Sequence, residues 1–269
     1  MRLVILCEGH TEQAVLRDFL APYCTEFEKV EVINMSGAAR LKTEFKYFAE
    51  LELHSNPSTF VLCLIDLYNA PFSFPKSFEV AEDPFLEQYA YVQKYMQDQV
   101  DQTVRDRFFA FPIVMELETW LLADEEALRY FDNSISVWHT PESQLRPSEE
   151  LKRLMKRVKG YDYDKRLHGK LLFSRASANR VYEDNCPHFE AIINQLLTLQ
   201  NLPLPKQSTE YSIPNQELFN QLTTLQNKIN SIWSEGEKQN DFTSDQIQQI
   251  ELLEKAQKEI LSQISSTEV

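Results

Sequence analysis

The sequence predicts an α/β protein whose first half forms a mainly parallel β-sheet. Continuous apolar runs of strand length alternate with segments in which apolar residues recur at helical spacing. Runs that are apolar throughout are typical of strands covered by helices on both faces. Strands that alternate with helices of this length pair in parallel through helical crossovers. The second half of the chain lacks such runs and is predicted to be helical.

The first predicted strand covers residues 3–7 and ends on a carboxylate, Glu8. Gly9 is expected to let the backbone turn, and Thr11 is expected to cap the helix that follows. In open α/β sheets, ligands bind beyond the carboxyl ends of the strands, so Glu8 lies where binding residues are usually found. A purely structural alternative stays open, in which Glu8 and Glu12 complement the positive end of the helix dipole.

Two further strand ends are followed by acidic residues. The remaining strands are predicted at residues 30–34, 59–65 and 107–114, and the helices between them at residues 38–54 and 85–100. The strand at residues 59–65 runs into Asp66, which precedes a proline-rich loop at residues 71–84. Glu116 and Glu118 follow the last strand. Because parallel strands end at the same edge of a sheet, these carboxylates are expected to converge there.

Charge is distributed unevenly along the chain. The formal net charge of −14 argues against general adhesion to nucleic acid or to anionic membranes. Residues 146–180 are the exception, because eleven basic residues stand there against four acidic ones. Several of the basic residues would share one helix face and form a positive stripe suited to phosphates, although a solvated helix face is the alternative. The predicted nucleic-acid-binding residues are Lys152, Arg153, Lys156, Arg157, Lys159, His168 and Lys170.

The four cysteines indicate a reducing environment. They form no CxxC pair, and two of them lie inside apolar strand-like runs, so they are predicted to be buried, reduced thiols. His168, Cys186 and His188 lack the paired spacing of a structural zinc site. The first apolar run is too short for a signal peptide, and no run has membrane-spanning length. The protein is therefore expected to be cytoplasmic.

The composition changes again near residue 200. Residues 201–215 hold several prolines among polar residues and are predicted to be a linker. Beyond it, residues 216–265 are predicted to form a helical hairpin whose apolar stripe must pack on its own domain or on another chain, a second copy of the protein included. The predicted domains are thus an α/β core at residues 1–132, a basic helical lobe packed on the core at residues 133–200, the linker and the hairpin.

Three of these segments, taken in order, resemble a known family. The EGHTE segment after the first strand, the apolar strand that ends in Asp66, and the ExE pattern at residues 116–118 are similar to a TOPRIM domain. In detail they resemble an uncharacterised family of prokaryotic TOPRIM-like proteins, whose nearest enzymes would be the overcoming-lysogenisation-defect nucleases. The resemblance covers residues 1–199 and includes the ELETWLLAD, HGK and CPHF stretches. It implies a Rossmann-like TOPRIM core.

The resemblance also implies a phosphodiester site that depends on Mg²⁺ or Mn²⁺. Carried over by position, Glu8 is a metal ligand or general base, Asp66 is a ligand, and Glu12 supports them. Glu116 and Glu118 then bind a second ion, and these two residues with Glu8 and Asp66 form the predicted catalytic set. TOPRIM enzymes usually carry DxD where this chain has Asp66, Leu67 and Tyr68, so one ligand is missing.

Two functions follow from this resemblance. The first is a metal-dependent nuclease, a hydrolase of DNA or RNA, which would act in prokaryotic antiviral defence alongside an ATPase partner. The second is a catalytically degenerate TOPRIM-like scaffold that binds nucleic acid or an ATPase. Tyr68 in place of an acid favours the scaffold, and the retained Glu116 and Glu118 favour the nuclease.

Overall fold

The computed structural model describes residues 1–68, 70–75, 84–132, 135, 141–144, 146–183 and 186–202, with isolated positions between residues 228 and 256. The chain divides into two compact units, Met1–Leu204 and Pro205–Val269. The predicted helical hairpin lies outside the described residues apart from those isolated positions, and so do residues 76–83 of the predicted loop. None of the helices in the described part of the chain is long and apolar enough to cross a membrane.

Four parallel strands form the sheet of the first unit, which confirms the predicted fold class. The strands are β1 (Arg2–Cys7), β2 (Lys29–Asn34), β3 (Thr59–Asp66) and β4 (Phe108–Ile113). Their order in the sheet is β2-β1-β3-β4, and every neighbouring pair is parallel. Nearly all side chains of the two central strands, β1 and β3, are buried. Their continuous apolar character thus reflects helices on both faces of the sheet.

The first three helices are the crossovers between these strands. They are α1 (His10–Phe19), α2 (Ala38–Ser55) and α3 (Pro84–Gln99). The chain leaves β1 in one direction to reach β2 and returns across β1 to reach β3. Since crossovers of parallel strands share one hand, α1 covers one face of the sheet, and α2 and α3 cover the other. The strand order therefore reverses at the β1–β3 pair, where open α/β sheets form their binding crevice.

Short helices follow β4 and pack on the α1 face of the sheet. They are α4 (Thr119–Leu122), α5 (Glu125–Arg129), α6 (Pro147–Lys159), a π-helical turn (Lys165–Gly169), α7 (Lys170–Phe173), α8 (Ala178–Glu183) and α9 (Pro187–Leu199). Phe19 of α1 lies at the centre of this packing. Its ring centroid is 5.8 Å from Trp120, 5.2 Å from Phe173 and 5.8 Å from Phe189. The basic segment is thereby held close to the sheet.

All four cysteines, Cys7, Cys24, Cys63 and Cys186, are buried and free, as the sequence predicts. Burial raises the pKa of Cys7 and of Cys24 to about 12. The thiols therefore stay protonated at neutral pH and pack as small apolar groups.

A buried ion pair fixes the helices that follow β4. The Asp124 carboxylate has no exposed surface and accepts hydrogen bonds from the backbone N–H of Ala127 at 2.8 Å and of Ser177 at 2.7 Å. It also accepts one from Arg180 Nε at 2.9 Å. Arg180, one of the basic residues of the positive segment, is thus engaged within the fold.

We expect Asp124→Ala to destabilise the protein by roughly 3 kcal/mol, because it leaves the Arg180 charge and two backbone N–H groups without their acceptor. Arg129→Ala is the matched control, since Arg129 pairs with Glu125 and Glu126 on the exposed surface of α5 and such pairs contribute little. Urea denaturation of the full chain measures both. Equal midpoints for the two variants would contradict the anchoring role of Asp124.

Candidate active site

The carboxyl edge of the sheet gathers acidic residues from three adjacent strands. Glu8 follows β1, Asp66 ends β3, and Glu116 and Glu118 lie just beyond β4. The backbone N–H of Asp66 donates a 2.7 Å hydrogen bond to Glu8 Oε1, which fixes the Glu8 carboxylate across the β1–β3 pair. The structure thus brings these residues together at the edge where the strand order reverses. Their roles in catalysis and metal binding stay predictions.

Gly9 lies in the bend between β1 and α1, and it makes room for Glu12 beside Glu8. Its φ of −142° is extended backbone, which any residue can adopt. A Cβ atom at this position would lie 2.9 Å from Glu12 Oε2, so only glycine lets that carboxylate come so close. The expectation that Thr11 caps α1 is wrong, because the helix begins at His10 with no side-chain cap. The Thr11 hydroxyl lies 3.5 Å from the carbonyl oxygen of Lys165 instead.

A strained residue redirects the chain after β4. Met115 is buried and has a φ of 64°, in the left-handed region that non-glycine residues rarely adopt. Its carbonyl accepts a 2.8 Å hydrogen bond from the N–H of Tyr68. The backbone pairing between β3 and β4 therefore continues past the ends of the two strands. Such a conformation costs on the order of 1 kcal/mol or more and persists only where the surroundings enforce it. The turn at Met115 immediately precedes Glu116.

Lys165 lies between Glu116 and Glu118. Its ammonium donates hydrogen bonds to Glu116 Oε1 at 2.8 Å and to Glu118 Oε2 at 3.2 Å. The other two oxygens are also engaged: the N–H of Ser148 donates to Glu116 Oε2 at 3.0 Å, and the Tyr163 hydroxyl donates to Glu118 Oε1 at 3.4 Å. Both carboxylates are buried, whereas the Lys165 side chain is 43% exposed.

These contacts shift the pKa values of all three groups. Burial opposes the charge on Lys165, but the charges of Glu118 and Glu116 raise its pKa above the usual range. Burial would raise the pKa of Glu116, and the charge and hydrogen bond of Lys165 lower it. Burial raises the pKa of Glu118 despite the same ammonium. Lys165 is therefore a fixed cation at neutral pH.

Glu8 and Asp66 lack a comparable counter-charge. Burial, together with the negative charges of Glu12 and Glu116, raises the pKa of Glu8 to about 7. The hydrogen bond from the N–H of Asp66 acts in the opposite direction and lowers it. Burial, followed by the charges of Glu8 and Glu12, raises the pKa of Asp66 well above its usual range. Within the described residues, no donor reaches the Asp66 carboxylate. In the described part of the chain, the Lys165 ammonium thus lowers the pKa values of four neighbouring carboxyl groups, Glu8, Asp66, Glu116 and Glu118.

The donor chemistry of Glu8, Asp66 and Glu12 fits a hard divalent cation, because Mg²⁺ and Mn²⁺ prefer carboxylate oxygens. A cation there would also relieve the unfavourable charge that raises the pKa values of Glu8 and Asp66. Over the described residues, however, no three His, Cys, Asp or Glu side chains form a ready-made metal-binding group. Glu116 and Glu118, the predicted ligands of a second ion, are held by the Lys165 ammonium.

The predicted positive stripe is partly neutralised by acidic residues of α6 and of the segment after it. Lys152 pairs with Glu149, Arg153 pairs with Glu150 at 2.9 Å, and Lys156 pairs with Asp162 at 3.6 Å. Arg157, Lys159 and Lys170 are exposed, and no acidic residue in the described part of the chain pairs with them. His168 is only 8% exposed, and its Nδ1 accepts a 2.8 Å hydrogen bond from the N–H of Asp164. We therefore expect His168 to support binding from beneath the surface.

His188 lies apart from this cluster. Its Nδ1 is 2.7 Å from Glu142 Oε2, and its ring lies 4.3 Å from the ring of Tyr89.

Comparisons with known proteins relate the chain to a family and to a solved structure. A family described as "Domain of unknown function (DUF4276)" matches residues 7–197, and the chain therefore belongs to this family. No curated protein matches the chain. A solved structure, the C-terminal region of the Burkholderia pseudomallei OLD protein, is similar with 14% identity and a TM-score of 0.37. The similarity covers 72% of this chain and 98% of that one.

The pKa of Glu8 makes stability depend on pH. Folding raises this pKa from the ordinary 4.5 to about 7, so the folded state binds the proton more tightly and loses stability as the pH rises through 7. Glu8→Gln keeps the acceptor for Asp66 N–H and removes the charge. We expect the variant to gain about 2 kcal/mol relative to wild type between pH 5 and pH 8.

Urea denaturation at both pH values measures this difference. Glu87→Gln, at an exposed position on α3, is the control and should follow wild type. Parallel stability curves for Glu8→Gln and wild type would contradict the raised pKa.

We expect Lys165→Met to cost roughly 3 kcal/mol at pH 8, because Glu116 and Glu118 would remain buried without their cation. The loss should shrink toward pH 5 as the two carboxylates take up protons. Lys152→Met removes a lysine from an exposed pair and should have little effect at either pH. Thermal unfolding of wild type and the two variants at both pH values measures these losses of stability. Similar losses for Lys165→Met and Lys152→Met would refute the role of Lys165 as the cation of the buried carboxylates.

Proposed function

We propose that this member of the DUF4276 family is a metal-dependent phosphodiesterase that cleaves nucleic acid. The observation that carries the proposal is the carboxylate cluster at the β1–β3 pair, where the half-buried Glu8 and Asp66 lie together with too little positive charge. Closely spaced carboxylates in such a crevice suit a divalent cation, and the bound cation would in turn attract a phosphate.

In this proposal, Glu8 and Asp66 would hold Mg²⁺ or Mn²⁺, and Glu12 would support them. A divalent ion bound there supplies a Lewis acid that neutralises phosphate charge and lowers the pKa of a bound water. Where Asp66 and Glu12 hold the ion instead, Glu8, whose pKa burial raises to about 7 in the metal-free protein, would act as the general base.

Lys165 would add a fixed positive charge beside this pair. Its ammonium is held by Glu116 and Glu118 and remains 43% exposed, so it can approach a phosphate oxygen without leaving its carboxylates. Glu116 and Glu118 would then act as positioning residues for Lys165 in place of the ion-binding role predicted for them.

The exposed basic residues would supply affinity for the nucleic-acid backbone. Arg157, Lys159 and Lys170 are free of acidic partners in the described part of the chain, and each can contact a phosphate. The paired residues Lys152, Arg153 and Lys156 can also exchange their partners for phosphates, because exposed ion pairs are weak. Action in antiviral defence with an ATPase partner belongs to this proposal and rests on the resemblance described above.

The second candidate is a catalytically degenerate scaffold that binds nucleic acid or an ATPase. Tyr68 favours it, because it stands where TOPRIM enzymes usually carry an acid. The Lys165 contacts favour it as well, since they engage the two carboxylates that would otherwise bind a second ion.

Cleavage assays separate the two candidates. We expect the wild-type protein to cleave single- or double-stranded DNA or RNA, faster with Mn²⁺ than with Mg²⁺, because Mn²⁺ tolerates an incomplete ligand set better. Glu8→Gln should reduce the rate by a factor of about 100 or more while nucleic-acid binding persists. Tyr68→Asp adds a carboxylate and should tighten Mg²⁺ binding in calorimetry.

Glu87→Gln serves as the control for purification and should cleave like wild type. Residual cleavage that is identical in wild type, Glu8→Gln and Asp66→Asn would reveal a contaminant and leave the scaffold as the function.

A further inference from the structure

A series of stacked rings leads from the carboxylate cluster to the protein surface. The Tyr163 hydroxyl donates to Glu118, and the Tyr163 ring lies 5.9 Å from the ring of His168 at an interplanar angle of 30°. The His168 ring lies 5.5 Å from the ring of Tyr161 at 29°. Tyr163 and His168 are buried, whereas Tyr161 is 45% exposed. The stack therefore presents its last ring to solvent.

The buried part of this stack is held in place by the backbone. The N–H of Asp164 donates to His168 Nδ1 at 2.8 Å, and the N–H of His168 donates to the Asp164 carbonyl at 2.8 Å. A Cβ atom on Gly169 would lie 3.2 Å from the Tyr163 hydroxyl, so the π-helical turn packs closely against this ring. Tyr161 is thus supported by side chains that are already fixed. A ligand that stacks on it loses little free energy in ordering the site.

Two cations flank the exposed end of the stack. The hydroxyl of Tyr130 lies 3.4 Å from that of Tyr161. Lys159 Nζ is 5.0 Å from the centroid of the Tyr130 ring, and the Arg175 guanidinium is 5.4 Å from it. In the part of the chain that the structure describes, neither cation pairs with an acid. The surface therefore combines aromatic rings with positive charges that are available to an anion.

This combination matches a nucleobase with its neighbouring phosphates. Any base can stack on an aromatic ring, and lysine or arginine beside the ring can bind the backbone. In a duplex the base faces are hidden by stacking, so a platform of this kind selects unpaired nucleotides. Residues 163 and 165 contact the carboxylate cluster directly, which places the stack on the same segment as the candidate active site.

We propose that Tyr161 and Tyr130, with Lys159 and Arg175, form a binding platform for an unpaired base of single-stranded nucleic acid. The proposal rests on the proposed function in one respect, because the strand bound here would lead to the carboxylate cluster. Binding itself requires neither metal nor cleavage.

Equilibrium binding in EDTA tests the platform on the full chain. The probes are a fluorescent single-stranded DNA, an RNA of the same sequence and the corresponding DNA duplex. Tyr161→Ala should weaken binding of both single strands about tenfold and change duplex binding little, because one stacking contact is lost. Tyr161→Phe keeps the ring and should bind within about twofold of wild type. Tyr47→Ala removes a tyrosine that is 67% exposed on α2 and should have no effect.

A second readout reports stacking itself. The fluorescence of 2-aminopurine in the single strand should be quenched by wild type and by Tyr161→Phe, and much less by Tyr161→Ala. Unchanged single-strand affinity and quenching in Tyr161→Ala would overturn the platform. An equal loss for single strand and duplex would overturn it as well.

The outcomes are separable from those of the cleavage assay. If Tyr161→Ala loses single-strand affinity while no variant or metal alters cleavage, the platform stands and the nuclease does not. If Glu8→Gln abolishes cleavage while Tyr161→Ala binds like wild type, the nuclease stands and the platform does not.

Discussion

Lys165 donates to Glu116 and Glu118 and so joins the helical half of the chain to the carboxyl edge of the sheet. Two buried carboxylates without this ammonium would face the cost of desolvation and their mutual repulsion. With it, they become a fixed ion cluster, and the unbalanced charge is left on Glu8 and Asp66. In the proposed site, the position of this one cation therefore leaves Glu8 and Asp66 as the pair for a divalent ion.

The parallel sheet provides the geometry on which this cluster depends. Adjacent strand ends bring Glu8 and Asp66 together, and the backbone N–H of Asp66 orients the Glu8 carboxylate. Gly9 leaves space for Glu12, and the left-handed Met115 turns the chain toward Glu116. Each of these features works at the strand ends, where an open α/β sheet leaves a crevice.

The sequence predicted what is encoded locally. The strands are continuous apolar runs, and Glu8 and Asp66 are adjacent to them, so their common edge follows from parallel pairing. Lys165 could not be identified in this way, because its partners lie 49 and 47 residues away and no periodic pattern links them. The ion pair between Lys152 and Glu149, by contrast, has the i,i+3 spacing that a helix predicts. The cap expected at Thr11 failed because helix α1 begins at His10, which puts Gly9 at the N-cap, two residues before Thr11.

We propose that Glu8 and Asp66 form a site for a divalent cation, while the Lys165 ammonium remains bound to Glu116 and Glu118. Crystals grown near pH 8 and soaked in Mn²⁺ test it by anomalous diffraction at a wavelength where Mn²⁺ scatters strongly. We expect an anomalous peak bonded to Glu8 and Asp66, with the Lys165 ammonium still between Glu116 and Glu118. Ordered Glu8 and Asp66 side chains without such a peak at saturating Mn²⁺, or a peak at Glu116 and Glu118 with Lys165 displaced, would contradict it.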